Sequence, residues 1–180
     1  EAHVSSGYRE RTIENANKSD VTVAFAVDFN SAGEKLTKRA AGNKIVSIEF
    51  GSNIAEAAKL LAAKRKELGG NLNVAGNSLA TFNKAEEGFT QEQVNAWITE
   101  VITQANQIFP ITSIRSGGQT GADIAGLVAA KVLGIPSVGL LPAGFKQRNA
   151  AGVDTTSTSE GVTAQIDEQV AQYEANKKAQ

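Results

Sequence analysis

The sequence predicts a single three-layer α/β domain with a mostly parallel sheet of about five strands. Five apolar, β-branched-rich runs alternate with longer stretches of helical period, the pattern of strands covered on both faces and joined by crossover helices. The length of 180 residues suits one domain. The composition, 41% hydrophobic and 21% charged, is that of an ordinary globular chain and excludes disordered and collagen-like sequence.

In chain order, Glu10–Lys18 reads as a short helix and Val21–Val27 (VTVAFAV) as the first strand. Glu34–Ala41 is a second short helix, followed by a strand at Lys44–Glu49 (KIVSIE). After a loop at Gly51–Asn53, Ile54, Ala57, Ala58 and Leu61 repeat at i, i+3, i+4, i+7 on one face of a helix that Gly69 and Gly70 end. Asn71–Ala75 (NLNVA) is the third strand, and Asn83–Gly88 a loop. Thr90 with Gln93 three residues on makes a capping box, opening a helix whose stripe is Val94, Trp97, Ile98, Val101 and Ile102. Trp97 is thereby a packing residue. Thr112–Ser116 (TSIRS) and Ser137–Leu141 (SVGLL) are the last strands, separated by Ala122–Leu133, small and apolar nearly all round, which Gly134 and Pro136 stop. A loop at Gln147–Ser159 leads to a surface helix from Gly161, with Val162, Ile166, Val170 and Tyr173 on one side. Residues 1–180 form one domain, with the Gly-rich turn in the 111–180 half and the 1–110 half preceding it.

Charge and rare residues narrow the chemistry. With 18 Lys+Arg against 19 Asp+Glu the net charge is −1, without the basic footprint that nucleic acid demands. The absence of cysteine removes disulfides, thiol nucleophiles and thiolate metal sites. His3 is the one histidine, so a His-based triad or zinc site is excluded and no metal is expected. No apolar run approaches the roughly 18 residues of a membrane span, and no basic-then-apolar leader is visible. A cytoplasmic protein with no membrane partner is expected.

The most informative segment is Ser113–Gly126, SIRSGGQTGADIAG, where a strand runs through a Gly-rich turn into a helix. Gly117, Gly118 and Gly121 would let the backbone approach an anion. Their N–H groups, with Gln119, the Thr120 hydroxyl and the helix N-terminus, would form a phosphate cradle. Such glycines also arise from tight packing alone. Asp123, in the first turn of that helix, either complements its dipole or contacts a ribose hydroxyl or base. Asn77 and Ser78 come directly after the third strand and should face the same crevice as Gly118, because ligands of parallel sheets bind beyond the carboxyl ends of the strands.

A third cluster succeeds the first strand: Asp28, Phe29, Asn30, Ser31, Ala32, Gly33, Glu34, Lys35, Leu36, Thr37. Ser31 and Gly33 would open a helix there, and Glu34 would cap it or contact a ligand hydroxyl. Asp28 and Thr37 flank that helix start as further candidate ligand contacts. Arg9 and Arg11 are placed before a helix, where they are either solvated or clamp a phosphate. Lys146, Arg148 and Asp154 fall on the long loop after the fifth strand, where a mobile lid is expected if the loop is more than exposed surface.

At SGGQTGAD the chain resembles the molybdenum-cofactor carrier proteins and the wider SLOG group of Rossmann-like nucleotide-sensing and Lonely Guy-type proteins. Leu133-Gly134-Ile135-Pro136 and Pro142-Ala143-Gly144 are similar to the run that comes after this motif in the carriers. Tyr8, Arg11-Thr12-Ile13-Glu14-Asn15 and Ser19-Asp20 resemble the carriers' next elements; Ser31–Thr37 resembles their GGTALT helix start and Leu72–Gly76 their LNVAG strand end. The order of the segments differs. The counterpart of the carriers' opening segment lies here at 113–146, and the counterpart of their second segment lies ahead of it, at 8–77. The resemblance implies a circularly permuted Rossmann-like domain, covering roughly two-thirds of the chain, of bacterial or phage source. The departures are SAGEKLT for GGTALT, Pro-Ala-Gly for Pro-Lys-Gly, and GGQTGAD against the Lonely Guy pattern PGGxGTxxE.

The leading expectation is a binding module for a phosphorylated nucleotide or nucleotide-derived molecule, acting as sensor, carrier or sequestering protein with no required cofactor. The alternatives are a nucleotide N-glycosidase or phosphoribohydrolase using Glu34 or Asp123 against oxocarbenium-like charge, a molybdenum-cofactor carrier, and an interaction scaffold without a ligand. The resemblance further implies a possible homo-oligomer, because crevices of this group are often completed at a dimer interface.

Overall fold

The computed structural model describes residues 1–180. Helix α1 spans Tyr8–Asn17, strand β1 Val21–Ala26, and helix α2 Ala32–Ala41, which a 3-10 turn at Gly42–Lys44 joins to β2, Ile45–Glu49. Then come α3 (Ile54–Leu68), β3 (Asn71–Gly76), α4 (Leu79–Lys84), α5 (Gln91–Ile108), β4 (Ser113–Ser116), α6 (Ala122–Leu133) and β5 (Ser137–Gly139). Two short strands, β6 (Gln147–Arg148) and β7 (Asp154–Thr155), pair antiparallel before α7, Ser159–Lys178.

The first five strands form one parallel sheet in the order β2-β1-β3-β4-β5. This is a Rossmann-like single α/β domain, as the alternation of strand and helix predicts. Helices α3, α5 and α6 cover one face, and α1 and α2 the other. The two faces differ sharply. Because strand side chains alternate, Val21, Val23 and Phe25 point with Leu72, Val74 and Ile114 to the α3/α5/α6 side, where they join the continuous apolar core. Their neighbours Thr22, Ala24, Asn73 and Ala75 face α1 and α2, buried but small or polar. Asn73 Nδ2 donates to Thr22 Oγ1 at 3.2 Å, and Arg115 Nε to Asn15 Oδ1 at 3.2 Å. The polar layer leaves space on that side, and a cleft opens there.

Local signals account for most boundaries. Thr90 and Gln93 complete the capping box of α5. Helix α6 ends at Gly134 in the left-handed region, φ 68°. Trp97 packs edge-on against Phe25 with ring centroids 5.7 Å apart, and Phe50 lies 4.9–5.0 Å from Trp97, Phe82 and Phe89. That cluster explains α4, whose six residues are too few to show a period: the helix forms to carry Phe82 into the core. Two further differences are the β6–β7 ribbon in place of an open loop at 147–159, and α7 beginning at Ser159, where the Thr158 side chain accepts the Gly161 N–H at 3.0 Å.

The first residues run parallel to the end of β5. His3 N–H donates to the Leu141 carbonyl at 2.7 Å, Leu141 N–H to the Glu1 carbonyl at 3.0 Å, and Ala143 N–H to the Ser5 carbonyl at 2.8 Å. Tyr8 consequently lies beside the segment after β5, and its hydroxyl donates to Asp154 Oδ1 at 2.8 Å. No helix is long and apolar enough to cross a membrane.

Candidate functional site

The direction of chain travel across the sheet reverses between β1 and β3, and beyond the carboxyl ends of β1, β3 and β4 lies a cleft of about 410 Å³. Ser31, Gly33, Glu34 and Thr37 contribute one wall, Asn77 the floor, and Gly117, Gln119, Asp123 and Arg11 the other wall. These separated candidates therefore share one space.

The α2 wall ends in unused donors. Ser31 caps the helix, its Oγ accepting the Glu34 N–H at 3.3 Å and its carbonyl the Lys35 N–H at 3.1 Å. The N–H groups of Ala32 and Gly33 have no acceptor in the chain, as expected at a helix start, and both residues line the cleft. Thr37 Oγ1 donates to the Gly33 carbonyl at 3.0 Å. Asn77 accepts Val27 N–H at 2.8 Å and Asp28 N–H at 3.0 Å on Oδ1 and donates Nδ2 to the Asp28 carbonyl at 2.9 Å. Its amide thus holds the β1–α2 loop in place. Asp28 does not line the cleft; its carboxylate accepts the Asn30 N–H at 2.8 Å and shapes that loop.

The Gly-rich turn differs from the expected open cradle. Gly118 N–H donates to Ser116 Oγ at 3.0 Å, Thr120 N–H to Gln119 Oε1 at 3.0 Å, Gly121 N–H to Gln91 Oε1 at 2.7 Å, and Ala122 N–H to the Asn77 carbonyl at 3.0 Å. The Thr120 hydroxyl donates to the Arg148 carbonyl. Gly118, Thr120 and Gly121 accordingly do not line the cleft, whereas Gly117 and Gln119 do. The glycines serve backbone and packing here: Gly118 and Gly121 have φ of 66° and 98°, and a Cβ at Gly118 would stand 2.6 Å from Leu141 Cγ. A substitution at Gly118 would disturb Leu141 rather than a ligand.

Arg11 lies inside α1, not before it, and is 9% exposed. Its Nη1 meets Asp123 Oδ2 at 3.2 Å, the one hydrogen bond its guanidinium makes, while Nε is buried without a partner. Asp123 is the second residue of α6. Burial pushes its carboxyl up to about 6, against the opposing pull of Arg11 and of a hydrogen bond from the Gln119 backbone. Glu34 is 4% exposed and no hydrogen bond satisfies its carboxyl; burial first, then the charges of Asp123 and Asp28, push it up to about 8. At neutral pH the cleft holds one neutral carboxyl and one ionised carboxylate paired to arginine.

Tyr8 and Arg148 also line the cleft, joined by Thr12 and Asn73. The sequence offers Tyr8 only through the carrier resemblance and Arg148 only as a lid-loop residue; folding joins them through Asp154 Oδ1, which accepts from both, 146 positions from Tyr8. The expected lid region is pinned: Arg148 N–H donates to Gln119 Oε1 at 2.6 Å, Gln147 Nε2 to the Gly118 carbonyl at 2.7 Å, and Arg148 Nε to Asp154 Oδ1 at 3.1 Å. A slightly larger groove of about 490 Å³ runs between α5 and α7 past Trp97 and Tyr173. It contains no buried ionisable group and lies away from the strand ends. No group of three or more His, Asp or Glu side chains is placed to hold a metal ion.

Comparison with protein-family models, with curated proteins and with solved structures found no match to this chain. The parallel five-stranded fold and the cleft at its reversal point stand on the geometry of the chain itself.

Proposed function

We propose that the cleft binds a phosphorylated nucleotide or nucleotide-derived small molecule, as a sensor, carrier or sequestering protein. The observation that carries this reading is the start of α2, where two unpartnered N–H groups open beside a buried, unbonded Glu34. A phosphoryl group there would accept hydrogen bonds from Ala32 and Gly33 and gain from the helix dipole. Glu34, neutral at pH 7, would donate its proton to a phosphoryl oxygen instead of repelling it. The phosphate position thereby moves from the Gly-rich turn to α2, while Asp123 remains suited to a ribose hydroxyl. A permuted order relative to the carrier-like proteins is part of this reading, supported by Tyr8 lying against the segment after β5.

Native mass spectrometry after incubation with AMP, ADP-ribose, a cyclic dinucleotide and a pterin cofactor tests it. An adduct of unchanged ligand mass is expected, and it should be lost in Gly33→Val, because Gly33 lines the cleft at the α2 N–H groups and a side chain there, meeting no protein atom within 4 Å, would compete with the phosphoryl group without disturbing the fold. Absence of any adduct, or its persistence in Gly33→Val, would overturn the reading.

A second reading is favoured by the two carboxyls. Glu34 at about 8 and Asp123 at about 6 in one cleft divide into a proton donor and a carboxylate, the arrangement that glycosidic cleavage requires. Release of free base, abolished in Glu34→Gln while the adduct persists, would establish it.

A further inference from the structure

Three cations surround the Tyr8 ring at the mouth of the cleft. Lys146 Nζ lies 4.9 Å from the ring centroid, and the guanidinium carbons of Arg11 and Arg148 each lie 5.5 Å from it. Arg148 is paired with Asp154 and Arg11 with Asp123, but Lys146 has no carboxylate partner. The group keeps a positive surplus. Arg11 strengthens the point: a buried guanidinium ordinarily engages most of its five N–H donors, and this one makes a single hydrogen bond. Gly117 provides the room it occupies, since a Cβ built there would strike Arg11 Nη1.

Arg148 is held ready from both sides. Its N–H is fixed on Gln119 and its carbonyl receives the Thr120 hydroxyl, so the backbone is anchored while the side chain reaches the cleft. Asp154 Oδ1 accepts from both Tyr8 and Arg148, fixing the guanidinium beside the ring. Ordering of this kind lowers the entropy lost when an anion is bound.

We infer that Arg11 and Arg148 beside Tyr8 form a second anion subsite, so that the ligand carries two phosphoryl groups, one at α2 and one at this mouth. The inference rests on the reading of the cleft as a nucleotide site and deepens it to bisphosphorylated nucleosides. The two phosphoryl groups are either adjacent, as in a diphosphate, or separated by the sugar, as in a 3′,5′-bisphosphate.

Calorimetric titration with AMP, ADP and adenosine 3′,5′-bisphosphate, and with the guanosine series in parallel, tests the inference. One bisphosphorylated compound should bind at least tenfold tighter than its monophosphate, and which one does so identifies the spacing. In Arg148→Gln the ratio of the two dissociation constants should collapse toward one, and Arg148→Lys should restore part of it. Arg148 is partly exposed and its ribbon is held by backbone contacts, so the fold should persist; an unchanged far-UV spectrum verifies that. Equal affinity for mono- and bisphosphates, or a ratio that Arg148→Gln leaves unchanged, would overturn the second subsite while leaving the nucleotide reading intact. No binding of any of these compounds would overturn the second subsite, and an adduct with ADP-ribose, a cyclic dinucleotide or a pterin in the mass-spectrometric panel would still uphold the nucleotide reading.

Discussion

The guanidinium of Arg11 occupies the space that a side chain at Gly117 would require, with the Asp123 carboxylate 2.6 Å from the same point. A helix at the start of the chain and a turn more than a hundred residues later are thus fitted to each other through one missing methyl group.

Gly117→Ala should displace the guanidinium and destabilise the fold by about 1–3 kcal/mol, the usual range for overpacking a filled site. Gly33→Ala, with nothing within 4 Å of the new Cβ, should leave stability within about 0.5 kcal/mol of wild type. Urea denaturation of the two variants checks the contrast.

Arg11→Met leaves Asp123 buried beside no cation. At pH 7.5 this should cost about 3 kcal/mol, as expected for breaking a buried pair. At pH 4.5 the loss should be much smaller, because a carboxyl that titrates near 6 is already protonated there and needs no partner. Equilibrium unfolding at the two pH values measures the difference.

Glu34 makes stability fall as pH rises. The folded protein keeps its proton to about pH 8, whereas an unfolded Glu releases it near 4.5. The contribution is full below pH 4.5, declines between 4.5 and 8, and is lost above 8. Between pH 5 and 8 the wild type should lose on the order of 3 kcal/mol relative to Glu34→Gln, from a slope of about 1.4 kcal/mol per pH unit. Thermal denaturation of both proteins across that range gives the difference curve. A bound phosphoryl compound that accepts a hydrogen bond from the Glu34 proton should hold that proton to still higher pH and extend the decline above pH 8.

Arg65 lies far from the cleft and is fully buried, with Nε and Nη1 unbonded and Nη2 donating to the Phe109 carbonyl at 2.5 Å. Its guanidinium stacks 5.3 Å from the Phe109 ring, and burial lowers its titration to about 10. A buried cation without a carboxylate contributes little net stability. Arg65→Met should therefore match or exceed wild-type stability, while Arg65→Ala should lose about 2–4 kcal/mol to the cavity. Guanidinium denaturation of both variants decides the point.

The sequence alone determined the class of fold and most element boundaries, because the signals involved are local. Strand composition, the Thr90–Gln93 box and the Gly134 stop each act within a few residues and survive in the folded domain. It also assembled many of the cleft residues, since the carboxyl ends of parallel strands must converge: Ser31, Gly33, Glu34, Asn77, Gly117 and Asp123 meet as strand order requires. Tertiary structure alone decided which groups are free. The Gly-rich turn reads as an amide cradle until Gln91, from a helix thirty residues earlier, takes the Gly121 N–H, and Gln119 folds back on Thr120. Arg11 reads as either a solvated charge or a phosphate clamp until the chain brings Asp123 to it across 112 positions. Hydrogen-bond donors are claimed by whatever acceptor folding brings within about 3 Å, and no local pattern encodes those long-range partners.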